Sequence, residues 1–211
     1  MFEVARLQRY RIEQEGTTLE VFLPNINLQE AIESKKMREC GIWLEDGRHI
    51  TADQRKKAYA TLSDIAFWCG YMPEELKEIM KYVHISRTGC EYFSLSKCSI
   101  DTAREFINTI IDFALQNGVP LTDSGVNRTD DIGKYLYYCL KHKKCAMCGK
   151  KGEIHHEDTI GMGNDRRKVD DSKHKKICLC REHHTLAHAL GIILFNEKYH
   201  VYGIVFDEKE E

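Results

Sequence analysis

No stretch of the 211 residues is apolar for long enough to span a bilayer, which takes about 20 residues of helix. A helical membrane anchor is therefore excluded, and no membrane partner is expected. The opening MFEVARLQRYRIEQEG is too charged for a secretory signal, so an unexported, cytoplasmic protein is expected. Proline is scarce. Only Pro24, Pro73 and Pro120 occur, and each falls at a break between patterned segments. A disulfide framework is also missing. The nine cysteines are an odd number, and in an unexported chain they read as thiols and metal ligands. Net charge is almost absent, at −2. With 42% hydrophobic and 30% charged residues, the composition is that of a globular protein with ample core, of a length that fits one large or two small domains.

The small net charge conceals a division. Between Lys134 and His188 there are 13 Lys or Arg against 7 Asp or Glu, a local +6 that leaves −8 for the rest. The basic residues fall in two groups. One is Lys141, Lys143, Lys144, Lys150 and Lys151; the other is Arg166, Arg167, Lys168, Lys173, Lys175 and Lys176. Both flank a stretch rich in metal-ligating residue types, and a positive surface there suits a phosphate backbone. Asp165, Asp170 and Asp171 lie among them, so a solvated loop of mixed charge is the competing explanation.

That stretch runs from Cys145 to His188. Cys145 and Cys148 form one knuckle, and Cys180 and His183 a second at the mouth of a helix. Together they can close a tetrahedral zinc site. His155, His156, His184 and His188 remain unused. His184 and His188 are four apart, so on a helix they share a face and can grip one ion. On a strand the adjacent His155 and His156 point to opposite faces; on a bulge or twisted hairpin both can converge. A purely structural zinc module would account for the first four ligands and leave these histidines unexplained. Isolated histidines such as His49, His84 and His200 read as surface or packing residues.

Along the chain, apolar alternation through residues 2–23 around Gly16-Thr17 predicts two strands and a turn. Leu28–Met37 predicts a short helix, and Ile42–Leu44 a third strand. Thr51 and Gln54 spell a capping box, opening a helix that buries Ala58, Leu62, Ile65, Ala66 and Cys69 and closes at Gly70. Pro73 begins the next helix, with Leu76, Ile79, Met80 and Val83 as its stripe. A third runs from about Asp101 to Gln116, stopped by Asn117-Gly118 and Pro120. Tyr59, Trp68, Tyr71 and Tyr92 are candidates for base stacking, although aromatics in such settings are more often core. Residues 121–129 read as a linker, Asp130–Lys143 as a helix, and His155-His156 as the end of a strand. A second strand is expected near Lys176–Leu179, then a helix at His183–Leu190 and a last strand near Val201–Phe206.

The Cys-x-x-Cys knuckle, the apolar residue before His155-His156, and the ending Cys180-x-x-His183-His184-x-x-x-His188 resemble the HNH nucleases of ββα-metal fold. The resemblance implies that His155, His184 and His188 hold a catalytic divalent ion, magnesium, manganese or another, and that His156 is the general base. It leaves Cys145, Cys148, Cys180 and His183 to a structural zinc. In the place where that family has a bracing Asn, this chain has His174-Lys175, and His174 is the candidate for the role. The Thr51–Tyr59 helix start, Ser94–Ser96 and Gly118-Val119-Pro120 resemble the NinB/Orf recombination proteins of lambdoid phages, which bind single-stranded DNA. The two halves together resemble phage HNH nucleases of Gram-positive hosts, a likeness that Gly161–Arg166 and Tyr199–Gly203 share.

The expected architecture is α+β: a NinB-like domain over 1–120, a linker over 121–129, and a zinc-stabilised, treble-clef-like HNH domain over 130–211. The expected activity is metal-dependent cutting of DNA in phage recombination, in the host cytoplasm. Arg166, Arg167, Lys168 and Lys175 are the expected DNA contacts. A single-strand-binding protein or a phage recombinase would be a further partner. The alternative is a non-catalytic DNA-binding mediator on a degenerate HNH module. No motif separates DNA from RNA.

Overall fold

The computed structural model of the chain describes residues 5–24, 27–35, 42, 47–157 and 173–206. Expectations for residues 43–44 and for Arg166, Arg167 and Lys168 lie outside them. The fold is mixed α+β, with two compact units, Met1–Leu44 and Glu45–Glu211.

In the first unit, β1 (Arg6–Glu13) and β2 (Gly16–Phe22) form an antiparallel hairpin, with Tyr10 opposite Leu19 and Ile12 opposite Thr17. The turn falls at residues 14–15, two residues earlier than the Gly16-Thr17 expected, and Gly16 is already paired with Glu13. Helix α1 spans Gln29–Lys35, and the Asn27 side chain accepts from the Gln29 N–H at its start.

The second unit opens on helix α2 (Ala52–Cys69). Its N-terminus carries the capping box in both directions. Thr51 Oγ1 accepts from the Gln54 N–H at 3.0 Å, and Gln54 Oε1 accepts from the Thr51 N–H at 3.1 Å. Gly70 ends it in the left-handed region, at φ 78°, where a side chain would be strained. Helix α3 (Pro73–Thr88) starts on Pro73, whose missing N–H is no loss in the first turn. Helix α4 (Ile100–Asn117) is capped by Ser99, which accepts from the Thr102 N–H. All six of its expected inward residues, among them Phe106, Ile107, Ile110 and Ile111, are buried between α2, α3 and α6.

Helix α3 departs from its expected stripe. Ile79 is exposed, while Lys81 and His84 are buried with Leu76 and Met80. The face toward the core therefore follows Leu76, Met80 and His84, at i, i+4 and i+8. Polar residues can occupy it because partners satisfy them. His84 Nδ1 lies 2.7 Å from Thr109 Oγ1, and Lys81 Nζ donates to Glu78 Oε1 and to the Tyr92 hydroxyl.

The segment 121–129, expected as a linker, holds the short helix α5 (Gly125–Arg128). It is tied to α2 by a buried group. Asp64 accepts from the Thr122 N–H and hydroxyl and from Arg128 Nη2, which also donates to Thr122 Oγ1 at 2.7 Å. A polar composition reads as solvated loop unless its polar atoms find one another, as they do here.

Helix α6 (Ile132–Lys141) buries Tyr135, Leu136, Cys139 and Leu140 and packs under a three-stranded antiparallel sheet. Its strands are β3 (Glu153–His156), β4 (Lys175–Leu179) and β5 (Ile204–Val205), with β4 central. Between β4 and β5 come α7 (Arg181–Leu190) and α8 (Ile192–Tyr199), the latter anchored by buried Phe195. Among the described residues no helix is long and apolar enough to cross a membrane.

Candidate metal centres

Two donor clusters form around α7. In the first, Cys145, Cys148, Cys180 and His183 bring one ligand atom each within 4.8 Å of one another. Cys145 and Cys148 sit on the turn after α6, which closes on itself as the Cys145 N–H donates to the Lys150 carbonyl and the Gly149 N–H to the Cys145 carbonyl. Gly149 takes φ 67°, which favours glycine there. Cys180 is the N-cap of α7, and His183 lies in its first turn.

The donor spacing can be tested against an ion. Zinc–sulfur bonds near 2.3 Å and zinc–nitrogen bonds near 2.0 Å, arranged tetrahedrally, require S···S edges of roughly 3.8 Å and S···N edges of roughly 3.5 Å. Cys148 Sγ and Cys180 Sγ are 3.7 Å apart, and Cys145 Sγ is 3.6 Å from His183 Nδ1. Cys180 Sγ to His183 Nδ1, at 3.1 Å, is tighter. The residues fit a tetrahedral metal, and four protein ligands leave such a site closed. Burial pushes the Cys145 thiol up to about 12. Burial also raises Cys180, but hydrogen bonds with His183, Cys148 and Cys145 outweigh it and bring that thiol down to about 7.

The second cluster is His155, His184 and His188. The ring centroids of His155 lie 4.6 Å from His184 and 4.9 Å from His188, and the latter two are 5.0 Å apart. Their convergence follows from local structure. His184 and His188 stand one turn apart on α7, and His155, paired with Ile177 of β4, faces them from β3. His155 is buried, His184 half-buried and His188 exposed, so the cluster opens to solvent on the His188 side. Three protein donors with an open side are the pattern of a catalytic ion site. Burial, then the neighbouring imidazoles, pushes His155 down to about 4, so it stands neutral with a lone pair to give.

Two carboxylates two residues either side of His155 were missed in the sequence. Glu153 Oε1 lies 2.8 Å from His184 Nδ1. A carboxylate only accepts, so that nitrogen carries the proton and Nε2 is left as the donor to a metal. Glu153 is held below the ordinary Glu range, chiefly by this hydrogen bond. Glu157 Oε1 accepts from Asn196 Nδ2 at 2.7 Å and from the Gly203 N–H at 2.6 Å, clamping the residue after His156 to α8 and to the approach of β5. Both lie at every-second positions with His155, but only strand register reveals what they meet.

His156 ends β3 opposite Lys176 and stands outside the three-histidine cluster. His174 precedes β4, and its Nδ1 is buried without a hydrogen-bond partner among the described residues. Lys175 begins β4, exposed.

A family model described as "Putative HNHc nuclease" matches residues 21–210. No curated protein and no solved structure matches the chain. The match takes in both donor clusters and nearly all of the sequence, and the chain belongs to this HNH nuclease family.

Proposed function

We propose that this protein is a metal-dependent DNA endonuclease that hydrolyses phosphodiester bonds with His156 as general base. One observation carries the reading. A complete four-ligand centre stands beside a separate three-histidine cluster that is open on one side, a division of labour that a purely structural zinc module does not need.

Cys145, Cys148, Cys180 and His183 would hold the structural zinc. His155, His184 and His188 would hold a divalent ion, magnesium or manganese, which supplies Lewis-acid stabilisation of the charge that builds on the phosphate. Glu153 fixes the orientation and tautomer of His184. His156, fixed at the end of β3 by the Glu157 clamp, takes the proton from the attacking water. His174 braces the segment that carries the base. Arg166, Arg167, Lys168 and Lys175 contact the DNA backbone.

The helices of the 1–120 region are proposed to take part as a NinB-like DNA-binding element in phage recombination, alongside a single-strand-binding protein or recombinase. What supports this is exposure. Tyr59, Trp68 and Tyr71 are 45–48% exposed, which favours the stacking role over the core placement weighed against it, and Arg55, Lys56 and Lys57 lie on the same helix as the first two. Exposed aromatic faces with nearby cations suit stacking on unpaired bases. Tyr92, also exposed, is engaged with Glu78 and Lys81.

The test is cleavage of plasmid, single-stranded and branched DNA with magnesium, manganese or EDTA, comparing wild type with His156→Ala. Metal-dependent cutting is expected, reduced about 10²–10⁴-fold in the variant, as for loss of a general base. Cutting by His156→Ala at the wild-type rate would overturn the mechanism. DNA binding without cutting under any metal would leave a mediator on a retired nuclease fold.

A further inference from the structure

A cavity of about 610 Å³ lies away from the three-histidine cluster, between the end of α4, the 118–125 segment and the Cys145–Lys151 knuckle. Its size falls within the roughly 300–1,000 Å³ of ligand sites. Ala114, Leu115 and Val119 give it apolar, buried wall residues. Three ammonium groups, Lys144, Lys150 and Lys151, line the knuckle side.

Those lysines are placed at some cost to the fold. Lys144 and Lys151 face each other across an isolated antiparallel bridge, a like-charged pair of a kind that weakens strand pairing. Lys144 Nζ is turned to the α4 end, beside Gly118. Lys150 meets Glu182 of α7 only at 3.7 Å, with both side chains largely exposed. The one acid lining the cavity is Asp123, whose Oδ1 accepts from the Ser124 N–H and from Asn127 Nδ2. The cavity thus joins an apolar wall to a concentrated positive edge that an external anion would relieve.

We infer that this cleft holds one nucleotide of the nucleic-acid strand, its base against the apolar wall and its backbone phosphates on Lys144, Lys150 and Lys151. The inference rests on the nuclease reading and adds to it a contact on the zinc-knuckle side. Lysines set along an edge, as flexible point charges rather than a convergent fork, suit a passing backbone better than one fixed phosphate. Lys150 carries that edge to α7, where it reaches Glu182, two residues before His184.

The experiment uses the full, zinc-loaded chain without added magnesium or manganese. Fluorescence anisotropy follows a labelled single-stranded 20-mer across 50–200 mM salt, for wild type, for Lys150→Gln/Lys151→Gln, and for Ser124→Trp. Ser124 lines the cleft and makes no side-chain capping bond, so the Trp fills the space without changing charge. Zinc content and melting temperature report folding. The double variant is expected to bind more weakly and to lose about 1.4 from the slope of log affinity against log salt, at about 0.7 per phosphate contact on a single strand. Ser124→Trp is expected to bind more weakly with its slope kept. Folded variants that match wild type in affinity and slope would overturn the cleft while leaving the nuclease reading intact. A wild type that binds no nucleic acid would overturn the nuclease reading itself. Equal binding of a free mononucleotide, tested by competition, would overturn the assignment to a strand.

Discussion

Glu153 Oε1 stands 2.8 Å from His184 Nδ1, and the two residues reach each other from different elements, β3 and α7. A carboxylate behind a ligand histidine raises its basicity and stops the ring from turning. Glu153→Ala is expected to weaken metal binding at the three-histidine cluster about 10–100-fold. Metal binding at the proposed zinc site of the cysteines should be unaffected. Metal titration of the zinc-loaded protein checks this, and an unchanged affinity would remove Glu153 from the site.

Cys145→Ala or Cys148→Ala opens the four-ligand centre. Structural zinc contributes about 10–16 kcal/mol of apparent binding energy in small zinc domains, and that energy is folding energy. The variants are expected to lose bound zinc and the cooperative unfolding of the 130–211 region. Zinc content and hydrogen exchange across β4 and α7 would show it. A variant with native exchange there would mean that packing alone holds the knuckle.

Gly203 packs against Glu157 so closely that an added Cβ would lie 2.5 Å from the carboxyl carbon. Gly203→Ala must displace the clamp behind His156 and is expected to cost about 1–3 kcal/mol, as overpacking does. Turnover should fall by more than the population of unfolded protein explains. Denaturant melts run beside the cleavage assay separate the two effects.

His84 is buried against Thr109, and burial, then the charge of Arg87, pushes its pKa below the ordinary histidine value. The folded state therefore takes up this proton less readily than the unfolded chain. Stability from this residue is complete above the unfolded pKa near 6.5 and is lost as pH falls below it. Urea unfolding at pH 8 and pH 5 should show a larger acid loss in wild type than in His84→Gln. Equal losses would mean that other groups dominate.

Much of this could be read from the chain itself. The Thr51–Gln54 capping box, the glycine stops at Gly70 and Gly118, and the inward face of α4 are local patterns, and local patterns need no tertiary partner. The Cys145–Cys148 and Cys180–His183 pairs converge because each knuckle is fixed by its own short spacing. What escaped the reading depends on partners far apart in sequence. Glu153 and Glu157 look like surface acids until β3 pairs with β4 and α7 and α8 fold back. Lys81 looks too polar for a core until Glu78 and Tyr92 meet it. The hydrogen-bonded 121–129 segment reads as solvated for the same reason.

His183 and His184 are neighbours on the first turn of α7, yet one belongs to the cysteine centre and the next to the histidine cluster. If both centres bind metal as proposed, they would work as an interlock. On the proposed function, a chain that has not yet taken up its first ion would have no fixed α7 on which to assemble the second, so a newly made or zinc-starved copy would be safe around DNA. Zinc supply, rather than magnesium or manganese, would then decide how many armed molecules exist.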